Sequence, residues 1–273
     1  MTMDISIIIS TYNQPQWLQL VLVGYACQED YAFEIVVADD GSDERTAQVI
    51  ENIRDRYRLN IKHVWHEDKG YRRCVILNKA TLAARGNYLI YTDGDCIPRS
   101  DLVRWHRKLA RKGHFLSAGH IPLSLEMSRT LTEDDIINKR INSISWLVKN
   151  GVPVNRRVMR LIKNPVIVRL MNRLTPSKAT WNLGNVSTYK QYVFLVNGFD
   201  ETLTYGGADR EFGDRLTNAG ITGIQIRYSA IVFHLEHMRA YKTKEGMQRI
   251  KERRKEVIRK KITTTSSGIN CHQ

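Results

Sequence analysis

Long apolar runs are missing from this 273-residue chain. No stretch reaches the length that crosses a bilayer, and Asp4 with a patterned strand from Ile5 argues against a secretory leader. Cysteine is scarce. Cys27, Cys74, Cys96 and Cys271 lie far apart and form no Cys-x-x-Cys pair. That argues against a zinc site or a disulfide framework and suits a reducing cytoplasm. Glycine-rich phosphate loops are absent as well. No Gly-x-Gly-x-x-Gly follows the first strand and no Gly-x-x-x-x-Gly-Lys occurs, so neither a regular dinucleotide site nor a Walker-type site is expected. No Gly-x-Ser-x-Gly elbow and no internal repeat appear. A nucleotide bound here would be held by carboxylates and a metal.

The formal charge is +14, and it is local. Residues 147–180 hold eight Lys/Arg and no acid; residues 239–273 hold eleven against three. The remainder is close to neutral, with 23 basic and 25 acidic residues. Anionic membrane, phosphorylated lipid or glycan, and nucleic acid are the partner classes such segments suit.

Apolar runs at 5–9, 33–38 and 88–91 read as buried strands, and 61–64 as a further strand. Helical stripes fall between them, from Pro15 through Tyr25, from Glu44 to Tyr57 and from Arg73 to Ala84. This alternation predicts an α/β fold with a parallel sheet, whose ligands bind at the carboxyl ends of the strands. Ser10, Asp40, Asp93 and Asp95 all fall at such ends. Further on, Ser100 is expected to cap a helix to about Lys112, and 115–119 to form one strand. Residues 133–146 and 155–173 read as helical, with Pro165 interrupting the second. Strands are expected at 182–187, 221–226 and 230–233, with short helix 209–218 before the last two. A charged helix over 244–261 carries a sparse apolar stripe of Met247, Ile250 and Val257, and a polar, frayed tail follows from Thr263.

Asp93-Gly94-Asp95 closes the fourth strand. Two carboxylates this close repel, and a hard divalent cation relieves the repulsion while leaving positions open for phosphate. Asp209 opens a short helix, whose dipole favours its ionised form. Gly206 and Gly207 before it let backbone approach a ligand closely. A carboxylate so placed could take a hydroxyl proton, or simply cap the helix.

With these residues in hand, the chain resembles the family 2 glycosyltransferases with the GT-A fold, over roughly residues 4–237. The signposts are residues 7–13 (IIISTYN), 37–42 (VADDGS), 77–80 (LNKA) and 86–88 (GNY), leading into Asp93-Gly94-Asp95. Later stretches resemble a bacterial polysaccharide or lipopolysaccharide subgroup with a galactosyltransferase-like C-terminal motif. They are 65–72 (WHEDKGYR), 184–187 (GNVS), 197–201 (NGFDE), 205–211 (YGGADRE) and 234–237 (HLEH).

The resemblance implies a mixed, mainly parallel, Rossmann-like twisted sheet flanked by helices. It implies a GT-A domain over 1–238: a nucleotide-binding half, 1–100, and an acceptor-binding half, 101–238, with a helical insertion at about 133–180. A basic helical extension, 239–273, follows. The implied activity is an inverting, metal-dependent transfer from a nucleotide-sugar, UDP-linked hexose or N-acetylhexosamine, to a glycan acceptor that is lipid-linked in this subgroup.

Roles follow residue by residue. Asp40 accepts from the base and Ser10 lies against it. Asp93 and Gly94 face ribose or sugar. Asp95 and His234 hold Mn²⁺ or Mg²⁺, and Asp209 is the catalytic base. Arg72 contacts the diphosphate, Asn78 reaches the nucleotide side, and Asn185, Gly206 and Gly207 line the substrate. The family commonly has Glu-Asp where this chain has Ala208-Asp209. That departure puts the sugar specificity in question; Glu211 either takes part of the missing role or is a surface residue.

Residues 155–173 join six Lys/Arg to an apolar stripe, which fits an anionic membrane surface. A cytoplasmic protein, peripheral on the inner face of the cell membrane, is therefore expected. The alternative, half of the stripe packed on the core and the rest solvated, stays open. So do two other functions on residues alone: a sugar-nucleotide nucleotidyltransferase and a basic nucleic-acid-binding protein. The first would need a Gly-rich basic signature at the first strand. The second would need aromatics interleaved with the basic runs, and no nucleic acid is expected.

Overall fold

The computed structural model describes residues 4–203, 207–236 and 244–272. The first half builds a parallel sheet by strand–helix alternation: β1 (Ile5–Thr11), α1 (Pro15–Ala26), β2 (Phe33–Asp39), α2 (Glu44–Tyr57), β3 (Ile61–Trp65), α3 (Arg73–Ala83) and β4 (Tyr88–Asp93). Every residue of β1 is buried, as a central strand covered on both faces requires. α1 starts with Pro15 at its first turn, where the missing N–H costs nothing. The side chain of Asp43 caps α2 by accepting from the Arg45 N–H.

The second half adds β5 (Cys96–Pro98), α4 (Leu102–Leu109), β6 (His114–Ser117) and β7 (Gly119–Pro122). The short helices α5 (Leu125–Thr130), α6 (Glu133–Ile137) and α7 (Ile144–Lys149) follow, then α8 (Pro165–Leu174). β8 (Asn185–Tyr189), α9 (Lys190–Leu195), α10 (Ala208–Asn218), β9 (Thr222–Gln225), β10 (Ile231–His234) and α11 (Lys244–Lys260) complete the order. The main sheet runs β3-β2-β1-β4-β8-β6-β9. β3, β2, β1 and β4 are mutually parallel; β8 runs antiparallel to β4 and β6; β9 is parallel to β6. The resulting sheet is mixed and mainly parallel, as expected. A second sheet, β5-β10-β7, was not expected.

One hydrophobic cluster packs α1, α2 and α4 on one face of the main sheet; a second packs α3, α9 and α10 on the other. The second is aromatic at its centre. Phe199 and Phe212 stack with centroids 4.3 Å apart, and Trp181 lies against Tyr91, Phe115 and Phe212. A Cβ on Gly213 would come 2.6 Å from that of Trp181, so glycine lets α10 press on the indole.

Several local expectations are corrected. Residues 155–173 do not form one helix: a 3₁₀ turn at Val158–Leu161 is followed by α8. Pro165 begins α8 rather than interrupting it, because Asn164 caps the N–H groups of Val166 and Ile167. Segment 133–146 likewise breaks into short turns. The helix expected from Ser100 starts after Asp101, with the Ser100 hydroxyl turned to Glu29. The strand expected over 115–119 divides at Ala118 between the two sheets.

The tail is ordered against the core. Its backbone exchanges bonds with the 197–201 turn, Glu201 N–H to Ser267 O at 2.9 Å and Ile269 N–H to Asn197 O at 3.1 Å, and Ile269 is buried. α11 packs on α10 through Arg254–Asp214 and through Asn218, which donates to the carbonyls of Val257 and Ile262. No described helix is long and apolar enough to cross a membrane.

Candidate active site

Strand register brings the acids together. Ser10 pairs with Asp93 across β1 and β4, and Thr11 with Asp39 across β1 and β2. The strand ends open on a cleft of about 910 Å³ that also receives Arg73 from α3, His234 from β10 and Asp209 from α10.

Asp40 lies just past β2. Its Oδ1 is 2.8 Å from His66 Nε2, and its Oδ2 accepts the Arg72 backbone N–H at 3.0 Å. Burial pushes the carboxyl up, against the pull of His66 and Arg72, and pushes His66 down. Each oxygen keeps a second lone pair for a ligand donor. The adjacent Asp39 is spent on the turn, accepting from Ser42 N–H and meeting His63.

Asp93 accepts from the Ser10 hydroxyl at 2.8 Å and from the Arg73 guanidinium. Burial raises its proton affinity and Arg73 opposes the rise. Burial likewise opposes the charge on Arg73, yet Asp93, Tyr71 and Asp209 hold its proton more firmly than usual. Gly94 donates its N–H to Ser10 O, and a Cβ there would come 3.1 Å from Thr11 Oγ1.

The second sheet makes the candidate cation site. β10 pairs antiparallel with β5 so that His234 faces Cys96, and Leu235 N–H donates to Asp95 O. Asp95 Oδ2 and His234 Nε2 are 3.6 Å apart. Two atoms each about 2.1 Å from one ion lie about 3–4 Å apart, so the pair fits one cation. The Cys96 thiol falls in the same cluster, within 4.8 Å. Carboxylate and imidazole suit Mn²⁺ or Mg²⁺, and the thiol adds a softer donor.

Asp209 sits in the first turn of α10, lines the cleft and accepts the Arg210 N–H at 2.8 Å. Gly207 adopts φ 133° at the helix entry, where a Cβ would also meet Ile250 at 3.3 Å. Gly206 and His237 lie outside the described residues.

Three residues expected against the donor do not reach the cleft. The Arg72 guanidinium turns out to Glu67 O at 2.7 Å, leaving only its backbone N–H on Asp40. Asn78 is fully buried and spends its amide on the Phe199 backbone and on Glu201. Glu211 is buried in an ion pair with Arg215, which also donates to Val196 O and Gly198 O. Asn185 does line the cleft, but its amide joins the sheets, meeting His106, Gly119 O and Ala230 O. Arg73 and His66 were missed. His66 stands inside the 65–72 stretch and Arg73 directly follows it, and only tertiary structure tells which neighbour points in.

A mixed sheet of this order, with acids at its parallel strand ends, is the GT-A architecture of glycosyltransferases. The chain is similar in structure to GalNAc-T7 with UDP, GalNAc and Mn²⁺, at TM-score 0.63 and 14% identity, covering 94% of this chain and 49% of that one. It is also similar to the mannosyltransferase PcManGT from Pyrobaculum calidifontis in complex with GDP-Man and Mn²⁺, at TM-score 0.58 and 17% identity, covering 87% and 58%. Residues 6–162 match the model of glycosyl transferase family 2, and the chain belongs to that family. It is 30% identical over 246 residues to chondroitin synthase of Escherichia coli, a match covering 85% of this chain but 34% of the length of that enzyme.

Proposed function

We propose that the chain transfers a sugar from a UDP-linked donor to a glycan acceptor, with inversion, in bacterial surface polysaccharide or lipopolysaccharide synthesis. One observation carries this: Asp40, Asp93, Asp95, His234 and Asp209, far apart in sequence, line a single cleft. The family match and the polysaccharide synthase relative support the substrate class.

In this reading the 1–100 half takes the donor and the 101–238 half takes the acceptor. Asp40 accepts from the base. Asp93, with its hydroxyl donor Ser10, faces ribose or sugar. Asp95 and His234 would hold Mn²⁺ or Mg²⁺, which when bound neutralises charge on the departing diphosphate. Asp209 takes the acceptor hydroxyl proton as that oxygen bonds to the anomeric carbon and the bond to the diphosphate oxygen breaks. Arg73 replaces Arg72 as the cation nearest the phosphates.

The test is calorimetry of UDP with and without Mn²⁺. Binding is expected to need metal and to vanish in Asp95→Ala. Asp209→Asn is expected to keep donor binding and to lower transfer by about 10²–10⁴-fold. Wild-type transfer in that variant removes Asp209 from the mechanism.

A second reading concerns location. Val166, Leu170 and Leu174 of α8 are 74%, 52% and 63% exposed on one stripe, flanked by Arg169 and Arg173. Val168 on the opposite side is buried, and Asn172 ties the helix to Tyr228 and Ser229. A rigidly held basic helix with an outward apolar stripe supports peripheral attachment to an anionic cytoplasmic leaflet.

A further inference from the structure

On the foundation of that transferase reading, we propose that the acceptor is anionic, its carboxylate or phosphate met by Arg157 at the cleft wall, with the neighbouring Arg160 and Arg227 adding positive charge there. Arg157 lines the cleft beside His120. Arg160 donates to His120 O at 2.7 Å, and Arg227 donates to Gln225 Oε1 at 2.8 Å. Those are neutral acceptors. None of the three arginines forms an ion pair with a carboxylate among the described residues, and the Arg160 Nε is buried with no hydrogen-bond partner.

Several half-buried and buried guanidinia elsewhere meet acids, as in Arg73–Asp93, Arg99–Asp101, Arg107–Asp30, Arg215–Glu211 and Arg254–Asp214, whereas Arg72 donates to a carbonyl. Arg157 is exposed, but Arg160 and Arg227 are half-buried beside it without a counter-charge, and an anion that enters relieves their mutual repulsion. Burial, followed by the charge of Arg227, lowers the proton affinity of Arg160 to about 10, which expresses the same cost.

Placement assigns the anion to the acceptor rather than the donor. The cluster stands beside β7 of the second sheet, where Pro122 pairs with His234 across β10, whereas Ser10 and Asp40 stand at the ends of β1 and β2 in the main sheet. The donor diphosphate has its own counter-charges in Arg73 and the Asp95–His234 pair. Beyond Arg157 a side hollow of about 260 Å³, lined by Pro122, Val152 and Pro153 among others, extends the cleft with room for a further sugar unit. A guanidinium fork matches carboxylate and phosphate oxygens in pairs, and neutral sugars offer nothing equivalent.

The test uses the whole chain loaded with UDP and Mn²⁺ and three probes: a disaccharide ending in glucuronic acid, its neutral glucose counterpart, and a glycerol phosphate dimer. Titration calorimetry is expected to show one or both anions binding about tenfold or more tighter than the neutral sugar, with the preference shrinking in high salt. The stronger anion identifies the source as uronate or phosphodiester. Arg157→Gln and Arg227→Gln are each expected to abolish most of the preference while UDP–Mn²⁺ affinity stays at the wild-type value. Equal binding of all three probes, no binding of either anion, or an undiminished preference in both variants overturns the proposal. The same titrations without nucleotide keep the two readings apart. Failure of UDP–Mn²⁺ binding sinks the transferase assignment, whereas anion preference stands or falls by itself.

Discussion

Replacing Glu211 with glutamine separates a structural role from a substrate-binding one. The carboxylate has no exposed surface, and its two oxygens receive the Arg215 Nε at 2.9 and 3.0 Å. Glutamine keeps the shape and one acceptor oxygen but turns an NH₂ donor toward a buried cation. Arg215 then remains fully buried with neutral acceptors alone, the remaining amide oxygen, Val196 O and Gly198 O, and Arg253, 3.8 Å from Oε1, adds a second positive charge. Removing one partner of a buried pair costs about 3–5 kcal/mol. The two surviving carbonyl acceptors favour the lower end, about 3 kcal/mol, a large share of a typical total of about 5–15 kcal/mol. For a chain of this size that lowers the midpoint by about 6–12 °C. Circular dichroism melting and urea unfolding measure it directly. UDP–Mn²⁺ affinity, measured well below the transition, is expected to be unchanged. The double variant Glu211→Leu/Arg215→Met is expected to recover part of the loss, because no charge is then stranded. A Glu211→Gln protein that melts like wild type but loses donor affinity refutes the reasoning and returns Glu211 to the sugar.

His106 gives a pH signature. Its ring is buried between Ser187 Oγ and Asn185 Oδ1, and burial pushes its proton affinity down to about 4 from an ordinary 6.5. The unfolded chain takes up that proton first as pH falls, so the stabilisation is complete above about 6.5 and is lost on the way to 4. The loss amounts to about 3 kcal/mol, and denaturant midpoints against pH should show a matching shallower slope in His106→Gln. Identical slopes in the two proteins exclude His106 as the source. On α8, Val166→Asp with Leu170→Asp is expected to lower sedimentation with phosphatidylglycerol vesicles by about 100-fold, since two exposed apolar side chains contribute about 3 kcal/mol or more on burial. Transfer to a soluble acceptor should persist. Vesicle binding by the variant equal to that of wild type shows that this stripe does not meet lipid.

The parallel half was legible because its strands are short, largely apolar and β-branched runs and its helices carry period-3.6 stripes, both local signals. α2 begins and ends where Glu44 and Tyr57 suggested. The β5-β10-β7 sheet was not legible. Of its strands only β10 was expected, at 230–233; β5 and β7 are three and four residues long, too short for a clear pattern, and join the sheet only through distant β10. Yet that sheet carries His234 to Asp95. The tail failed for the opposite reason. Its composition is polar, but its backbone finds acceptors and donors in the turn at Asn197, whose left-handed φ of 59° presents them.

Asn78, Glu211 and Asn185 were assigned to substrate through the family resemblance, and all three are buried polar groups, which are costly to bury without partners. A second way to meet that cost is to hold the protein to itself. Asn78 fastens α3 to the Phe199 turn, Asn185 bridges both sheets, and Glu211 with Arg215 fastens α10 to the chain at 196–198. Sequence cannot separate the two uses, since both select the same residue types near the same motifs. Geometry can: a group whose donors and acceptors are all matched within the fold has nothing left for substrate, whereas Asp40 and Asp93 keep lone pairs facing the cleft. These internally matched groups also fix α10 against the aromatic cluster, and that fixation holds Asp209 at the cleft facing the strand-end acids. Loosening Glu211 should therefore lower transfer only as far as α10 shifts, and a wild-type rate at low temperature in Glu211→Gln would mean that Phe212 and Gly213 suffice to hold the helix.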